Sequence, residues 1–413
     1  VADHPVSDHQ AALVLADLVR AYPLIPLERV PAVTAEHAAR LGFSEVMIYV
    51  ADLRRLVLLP LPGQRDADGK PLEPIPIDAT LAGRAFRVLE IMRADPARVA
   101  GEPSAAASGG PVRLWVPLVD GMERLGLLGV TTPEADEVAE RRISDLATLL
   151  TLVLMSKYRA SDSYARLVRG RSMRVGAEML WTLMPPRTFA TETVGVSAAL
   201  EPAYIVGGDA FDYALDGDVL HMAIFDAIGH DTSAGLTTAI ALGSYRDSRR
   251  REAGPIVASE AIDEAIADQF STSRYATGIM ADLNIRTGEL TWVNRGHPPP
   301  LLLRDGRVAA VLESPPDPPM GFSLGPASGL ARRRIEPGDR LLLYTDGVTE
   351  ARSPTGERFG LERFADFVLR GEADALPRAE IVRRLIHAVV DHQQGGPQDD
   401  AAVLLADWHP PGG

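Results

Sequence analysis

Four acidic points along the chain share one local setting. Asp209 stands in VGGDAFDY, Asp226 in FDAIGH, Asp346 in YTDGVTE, and Asp399 with Asp400 in QDDAAVLL. Each lies at the edge of a segment that reads as a strand. Three of them adjoin apolar runs (HMAIFD, RLLLYTD, DDAAVLL), which anchor the backbone in a core and leave the carboxylates to meet at one rim. Carboxylates gathered in a partly desolvated rim repel one another and raise each other's pKa unless a cation neutralises them. An all-oxygen ligand set suits Mg²⁺ or Mn²⁺ and does not favour zinc, which takes nitrogen or sulfur. Each aspartate also has a plain reading: Asp346-Gly347 as a turn, Asp209 after two glycines as a turn or cap, Asp399 as a loop cap. The flanking Gly207, Gly208, Gly229 and Gly347 tip the balance toward a shared site, because they let backbone approach an ion or a phosphate closely.

The elements that must position these acids follow from periodicity and turn chemistry. Residues 187–407 read as a strand-rich unit, with strands at 194–199, 219–225, 276–283, 289–293, 300–304, 339–344 and 401–406. Turn signals at Asp216-Gly217, Thr287-Gly288 and Asp305-Gly306 join several of them. Helices fill 232–249, 255–269, 361–369 and 378–391, a grouping that predicts an α+β sandwich rather than a parallel βαβ sheet. Residues 1–157 read as helix, sheet, helix: a helix at 10–21, a hairpin of 44–50 and 55–60, a Gly/Pro/Asp-rich stretch at 62–76, a short helix at 81–88, a loop at 104–110, and strands at 112–118 and 124–131. From 137 to 184 the pattern is helical, carried by Ile143, Leu146, Leu150 and Val153 and then by Tyr164, Leu167, Leu180 and Leu183, until Pro185 and Pro186 end it. Residues 158–186 are expected as a helical linker whose stripe packs on a neighbouring domain or pairs two subunits.

Composition narrows the chemistry. A length of 413 residues fits two cores, with 46% hydrophobic and 24% charged residues as in a folded globular protein. The net charge of −14 repels phosphate backbones and anionic lipids, so neither nucleic acid nor a membrane is expected as partner. The short basic run at Arg246, Arg249, Arg250 and Arg251 reads as a solvated helix end. The chain has no cysteine, which excludes disulfides, thiolate metal sites and a cysteine nucleophile. No stretch reaches about 18 uninterrupted apolar residues, and Asp3 and His4 do not open a signal peptide, so a cytoplasmic protein is expected.

The strings VGGDAFDY, FDAIGH, NRGHPPPLLLR, GDRLLLYTDGVTEAR, ERFG and QDDAAVLLAD occur in the order seen in the PPM metal-dependent protein phosphatases, and the chain resembles their SpoIIE/RsbU-like bacterial branch from about residue 183 to 407. Residues 1–157 resemble, more weakly, a GAF domain through their strand pattern and RLGLLGV. The resemblance implies an αββα sandwich at 187–407, preceded by an α/β GAF-like sensor domain at 1–157 and the linker at 158–186, with a loose tail at 408–413. It further implies a phosphoserine/phosphothreonine phosphatase whose Asp226, Asp209 and Asp346 are catalytic through two Mn²⁺ or Mg²⁺ ions. Asp226 would bridge the ions, Asp209 and the carbonyl of Ala227 would complete one side, and Asp346 and Asp399 would hold the other, with Asp400 the alternative to Asp399.

Two ions in such an arrangement activate a water for in-line attack, with no covalent phosphoenzyme. Asp212 is a candidate for orienting water, with a solvent-facing role as its alternative, Gly347 for close approach, and Arg295 for contacting substrate phosphate, with plain surface exposure as its alternative. Where the eukaryotic members carry a histidine two residues after the bridging aspartate, this chain has Ile228. His230 is the nearby acid candidate, with a helix-start role as its alternative, and Asp231 is suited to cap the following helix. His297 reads as a structural histidine before a Pro-rich turn. The expected substrate is a phosphorylated STAS-domain anti-sigma-factor antagonist, and the GAF-like domain and linker are expected to form a homodimer. A hydrolase of small phosphomonoesters and a phosphoprotein-binding pseudophosphatase are the alternatives.

Overall fold

The computed structural model describes residues 7–66, 68–96, 110–205, 207–315, 317–327, 329–394 and 399–409. The expected Ala/Ser/Gly loop at 104–110 and most of the expected tail lie outside them. The chain divides into two units, Val1–Arg171 and Ser172–Gly413, so the boundary falls inside the segment expected as a linker.

In the first unit, helix α1 (Asp8–Ala21) opens with a reciprocal cap in which Ser7 Oγ accepts from Gln10 N and Gln10 Oε1 accepts from Ser7 N. Helix α2 (Val30–Arg40) follows. Strands β1 (Ser44–Ala51), β2 (Val57–Pro60) and β3 (Ile75–Pro76), helix α3 (Leu81–Val88), strands β4 (Met92–Ala94), β5 (Val112–Asp120) and β6 (Glu123–Thr132), and helices α4 (Glu137–Lys157) and α5 (Asp162–Arg169) complete it. The six strands form one antiparallel sheet in the order β3-β2-β1-β6-β5-β4. Successive residues of β1 serve opposite faces: Ile48 and Val50 join a core with Leu18, Val30 and Leu146, whereas Met47 and Tyr49 join another with Phe86 and Trp115. The helical stripe of Ile143, Leu146, Leu150 and Leu154 is therefore spent within this unit, and Tyr164 of α5 joins the same core.

The second unit opens with α6 (Val175–Leu183), β7 (Thr188–Ala190), β8 (Val194–Glu201), β9 (Asp209–Asp216), β10 (Val219–Ala227), α7 (Thr232–Arg250) and α8 (Pro255–Phe270). Strands β11 (Ala276–Asn284), β12 (Glu289–Arg295), β13 (Leu301–Arg304), β14 (Arg307–Val311), β15 (Ala331–Arg334) and β16 (Arg340–Tyr344) come next. Short helix α9 (Asp346–Thr349), α10 (Leu361–Ala373), α11 (Arg378–Gln393) and β17 (Ala401–Trp408) close the unit. One antiparallel sheet has the order β15-β12-β11-β10-β9 and the other β14-β13-β16-β17-β8-β7. Helices α6, α7 and α8 pack on the first, through residues such as Leu180, Leu242 and Ile262. Helices α10 and α11 pack on the second, through Phe364, Leu385 and Val389. The architecture is an α+β sandwich of four layers, αββα.

Strand β17 shows why the layers hold. All eight of its residues are buried, Ala402, Leu404 and Ala406 in the core between the sheets and Ala401, Val403 and Leu405 in the core beneath α10 and α11. Its sequence is accordingly a nearly continuous apolar run, as a strand covered on both faces requires. Trp408, expected in the tail, closes this strand and is buried, its indole N–H donating to Ile285 O at 2.7 Å. No described helix is long and apolar enough to cross a membrane. Leu404→Ala is expected to destabilise the second unit by about 2–5 kcal/mol, because the filled space between two sheets cannot collapse around the deletion. Urea unfolding of the two proteins side by side measures it, and a loss below about 1 kcal/mol would mean that the inter-sheet core is not tightly packed.

Candidate metal centre

Asp209 begins β9 and Asp226 is the penultimate residue of β10, and the two stand directly opposite in the antiparallel register. Directly opposed residues bring their side chains together on one face, so this pairing puts two carboxylates side by side. Asp212 lies three residues along β9 and so projects from the other face. There it is buried and held by Arg246, which donates to both of its oxygens at 2.9 and 2.7 Å, and by Arg249 at 3.5 Å. The expectation that Asp212 orients water at the site gives way to an ion pair that fastens α7 to the sheet, and the basic run expected to be solvated supplies both of its partners.

The second sheet brings the remaining acids. Thr345, between β16 and α9, accepts from Ala402 N at 2.9 Å and donates to Asp209 Oδ2 at 2.5 Å, tying the two sheets together at the site. Asp400 stands at the start of β17 and turns inward. Its Oδ2 accepts from Gly207 N at 2.8 Å, Gly208 N at 2.7 Å and Asp209 N at 3.4 Å. Asp399 is exposed and accepts from Asp400 N, and Asp346 reaches solvent at the same rim. Close approach is built into the glycines. A Cβ on Gly347 would lie 1.8 Å from Asp400 O, and one on Gly208 would lie 2.5 Å from Ala227 O. Gly347 thus packs backbone on backbone, which sets α9 and Asp346 against β17.

Electrostatics single out the centre of the group. Asp209 is pushed well above the usual carboxylate range by burial and then by the charges of Asp226 and Asp400. Asp226 is raised to about 7 by burial and by Asp346, Asp399 and Asp400, with a hydrogen bond to Asp209 acting the other way. Asp346 and Asp400 are raised as well, by desolvation first, with Asp399 adding to both. A buried carboxylate and a half-buried one in hydrogen-bonding contact strongly disfavour double ionisation unless a positive charge joins them. Among the described residues no three His, Cys, Asp or Glu side chains already surround one point; the acids stand as linked pairs. The donors are all hard oxygens with no nitrogen or sulfur among them, and the charge they carry needs a counter-ion, so the residues fit hard divalent cations.

The other expected residues divide. His230 is exposed in the loop after Asp226. Asp231 caps α7, its Oδ1 accepting from Ala234 N at 2.8 Å. Arg295, expected at substrate phosphate, is fully buried: its Nε donates to Pro318 O at 2.8 Å, another guanidinium nitrogen donates to Ser259 Oγ at 3.3 Å, and Asp263 lies 3.9 Å away. It is a strut under the sheet. His297 accepts at Nδ1 from Thr277 and donates from Nε2 to Tyr344 O, which bridges the strand facing Asp226 to the strand leading to Asp346. Burial pushes its imidazole down to about 4, so it is a neutral brace. Thr345 was not singled out by the sequence; its only signal is the hydroxyl that precedes Asp346 in YTDG.

Residues 216–409 match the family profile described as Stage II sporulation protein E (SpoIIE). That match covers just under half of the chain and most of the second unit. The chain is similar to Protein IcfG of Synechocystis sp. (strain ATCC 27184 / PCC 6803 / Kazusa), 26% identical over 242 residues that cover 51% of this chain and 37% of that protein. It is similar also to phosphoserine phosphatase RsbU of Bacillus subtilis (strain 168), 22% identical over 56% of this chain and 69% of that protein. Phosphoserine phosphatase RsbP of the same organism is 25% identical over 49% of each chain. The chain thus spans between about a third and two thirds of the length of these relatives. Among solved structures, the RsbU and RsbW domains of Rv1364c from Mycobacterium tuberculosis align at a TM-score of 0.46 and 24% identity, covering 54% of this chain and 61% of that one. The catalytic domain of the serine/threonine phosphatase PstP, in complex with two manganese ions, aligns at 0.40 and 18%, covering 52% and 99%.

The raised pKa of Asp226 makes the stability of the metal-free second unit depend on pH in a definite direction. A carboxyl that titrates near 7 when folded and near 3.8 when unfolded favours the folded state at acid pH, and that stability is lost as pH rises through about 7. Asp226→Asn is therefore expected to be more stable than the wild type by about 4 kcal/mol at pH 7.5 in chelator, with the difference gone below pH 4. Thermal melts in EDTA from pH 4 to 8 measure it; a variant no more stable than the wild type at pH 7.5 removes the electrostatic account of the site.

Proposed function

We propose that this protein is a metal-dependent phosphoserine/phosphothreonine protein phosphatase. The observation that carries the reading is the contact between buried Asp209 and half-buried Asp226, two like charges that a proton or a cation reconciles. Asp209, Asp226 and the carbonyl of Ala227 are assigned to one ion, and Asp346 and Asp399 to a second, with Asp226 shared. Asp399 is preferred to Asp400 because the inward oxygen of Asp400 is already engaged by three backbone amides, whereas Asp399 is exposed beside Asp346. A pair of Mn²⁺ or Mg²⁺ ions bound there supplies Lewis-acid neutralisation of the phosphoryl oxygens and acidifies the attacking water. The protein's own groups fix the carboxylates: Thr345 holds Asp209, the Gly207–Gly208 amides hold Asp400, and the neutral His297 keeps the two sheets in register.

The substrate in this reading is a phosphorylated STAS-domain anti-sigma-factor antagonist, supported by the likeness to phosphoserine phosphatases RsbU and RsbP. The first unit is proposed as a GAF-like sensor, supported by its six-stranded antiparallel sheet with helices on both faces, and as the seat of a homodimer in a cytoplasmic signalling protein.

Phosphate release from a phosphoserine peptide and from a phosphorylated STAS protein tests the reaction. The wild type is expected to require Mn²⁺ or Mg²⁺, and Asp226→Asn and Asp346→Asn are each expected to lose about a hundredfold or more in kcat with circular dichroism unchanged. Undiminished turnover in both variants would overturn the mechanism, and equal efficiency on sugar or nucleotide monophosphates would overturn the protein-substrate assignment.

A further inference from the structure

Directly beyond Asp226 the surface changes character. Ile228, two residues on, is 40% exposed although it is a large aliphatic, and Leu324 is 69% exposed. The loop of Ile228 is tied to the strand opposite: Ile228 N donates to Tyr275 O at 3.1 Å, and the guanidinium of Arg274 donates to Ile228 O at 3.1 Å. Arg274 also reaches Asp231 Oδ2 at 3.0 Å, and a Cβ on Gly229 would lie 3.6 Å from it. Its side chain remains a quarter exposed and its partner Asp231 more than half, so the pair is open to exchange with an incoming anion. With Arg295 buried, Arg274 is a guanidinium the fold places on the loop that follows the shared aspartate.

A third segment lies against this lip. Gly321 has a φ of +116° and sits so close to the 274–275 backbone that a Cβ there would lie 2.5 Å from Arg274 O. The neighbouring Phe322 stacks on Tyr275 with ring centroids 4.9 Å apart. Asp263 of α8 accepts from Gly321 N and Ser323 N, and Met320 pairs with Ala276, so the segment is fixed at both ends of the aromatic contact. Ile228 and Arg274 thus follow the carboxylates, the Tyr275–Phe322 pair adjoins Arg274, and exposed Leu324 stands two residues beyond Phe322. Two residues of strand span about 7 Å, so Ile228 lies about one to two substrate residues from Asp226.

We propose that this surface is the substrate-recognition lip of the phosphatase site, where Arg274 donates to the phosphate and Ile228, Phe322 and Leu324 receive an apolar side chain adjacent to the phosphorylated serine or threonine. The inference rests on the phosphatase reading above. Charge complementarity chooses the occupant: the guanidinium suits the phosphate, while the apolar shelf suits a hydrophobic neighbour and would leave a flanking carboxylate desolvated beside Asp226, Asp231 and Asp346. Arg274 can leave Asp231 for the dianionic phosphate without leaving Ile228 O, which keeps the guanidinium aimed.

Three synthetic phosphoserine peptides, with leucine, alanine or aspartate on both sides of the phosphoserine, test the shelf in the full chain with Mn²⁺. The wild type is expected to prefer the leucine peptide to the aspartate peptide by about tenfold or more in kcat/KM, mostly through KM, and Phe322→Ala with Leu324→Ser is expected to erase most of that ratio. A wild type without the preference, or a double variant that keeps it, overturns the lip. For Arg274, inhibition by inorganic phosphate is the readout: Arg274→Ala is expected to weaken it about tenfold and Arg274→Lys to recover part. Asp231→Asn retains a capping side chain and removes only the ion pair; a weakening of the same size in that variant shows that the pair merely shapes the loop, and overturns the contact. A wild type that releases no phosphate from any peptide with Mn²⁺ defeats the phosphatase reading itself, an outcome distinct from activity without discrimination.

Discussion

Repulsion between neighbouring carboxylates is the constraint around which the second unit is organised. Asp209 and Asp226 face each other across two strands, where burial of the first and partial burial of the second weaken the screening of their charges by water. Folding alone would avoid such a pair, and everything near it serves to keep it. The strand register makes them opposite, the sandwich core buries the roots of both strands, and Thr345 reaches across from the other sheet to hold one oxygen.

Backbone contact does the positioning that side chains cannot. Gly208 and Gly347 stand where no Cβ fits, one against the carbonyl of Ala227 and the other against that of Asp400. Asp400 in turn satisfies the amides of Gly207 and Gly208, so a residue that the sequence offered as a ligand is also the clamp that shapes the Asp209 turn. Helix α7 is joined to the same turn, since Thr238 donates its hydroxyl to Gly208 O, and to the far face of β9, where Asp212 receives Arg246. Movement of α7 would therefore be felt at the carboxylates through two short paths.

Much of the architecture was legible before the coordinates. The apolar runs of β10, β16 and β17, the Asp-Gly and Thr-Gly turns, and the amphipathic stretches at α7, α10 and α11 fall where period-two and period-3.6 patterns place them. Strands β14 and β15 escaped because they are edge strands of exposed or half-buried residues, RVAAV and ARRR, without alternation, and α2 escaped because it follows prolines and short 3₁₀ turns that mask its periodicity. The helical stripe of α4 was visible, yet its destination was not: a stripe says that a face is buried, and not against what.

The same division holds at the site. The sequence by itself determined which residue types recur at strand edges, that all donors are oxygens, and that no cysteine chemistry is available, because those are properties of composition and local pattern. Only the tertiary structure decided which acids meet. Asp209 and Asp212 differ by an odd number of residues on one strand, so one joins the carboxylates and the other pairs with arginines on the opposite face. Arg295 went inward while Arg274 stayed at the rim, because the packing of Pro318, Ser259 and Asp263 around one and the open loop at 228–231 beside the other are long-range facts that no local pattern encodes. Residue identity sets what a group can do, and the partners brought by chain crossings tens to hundreds of residues away set whether it does so.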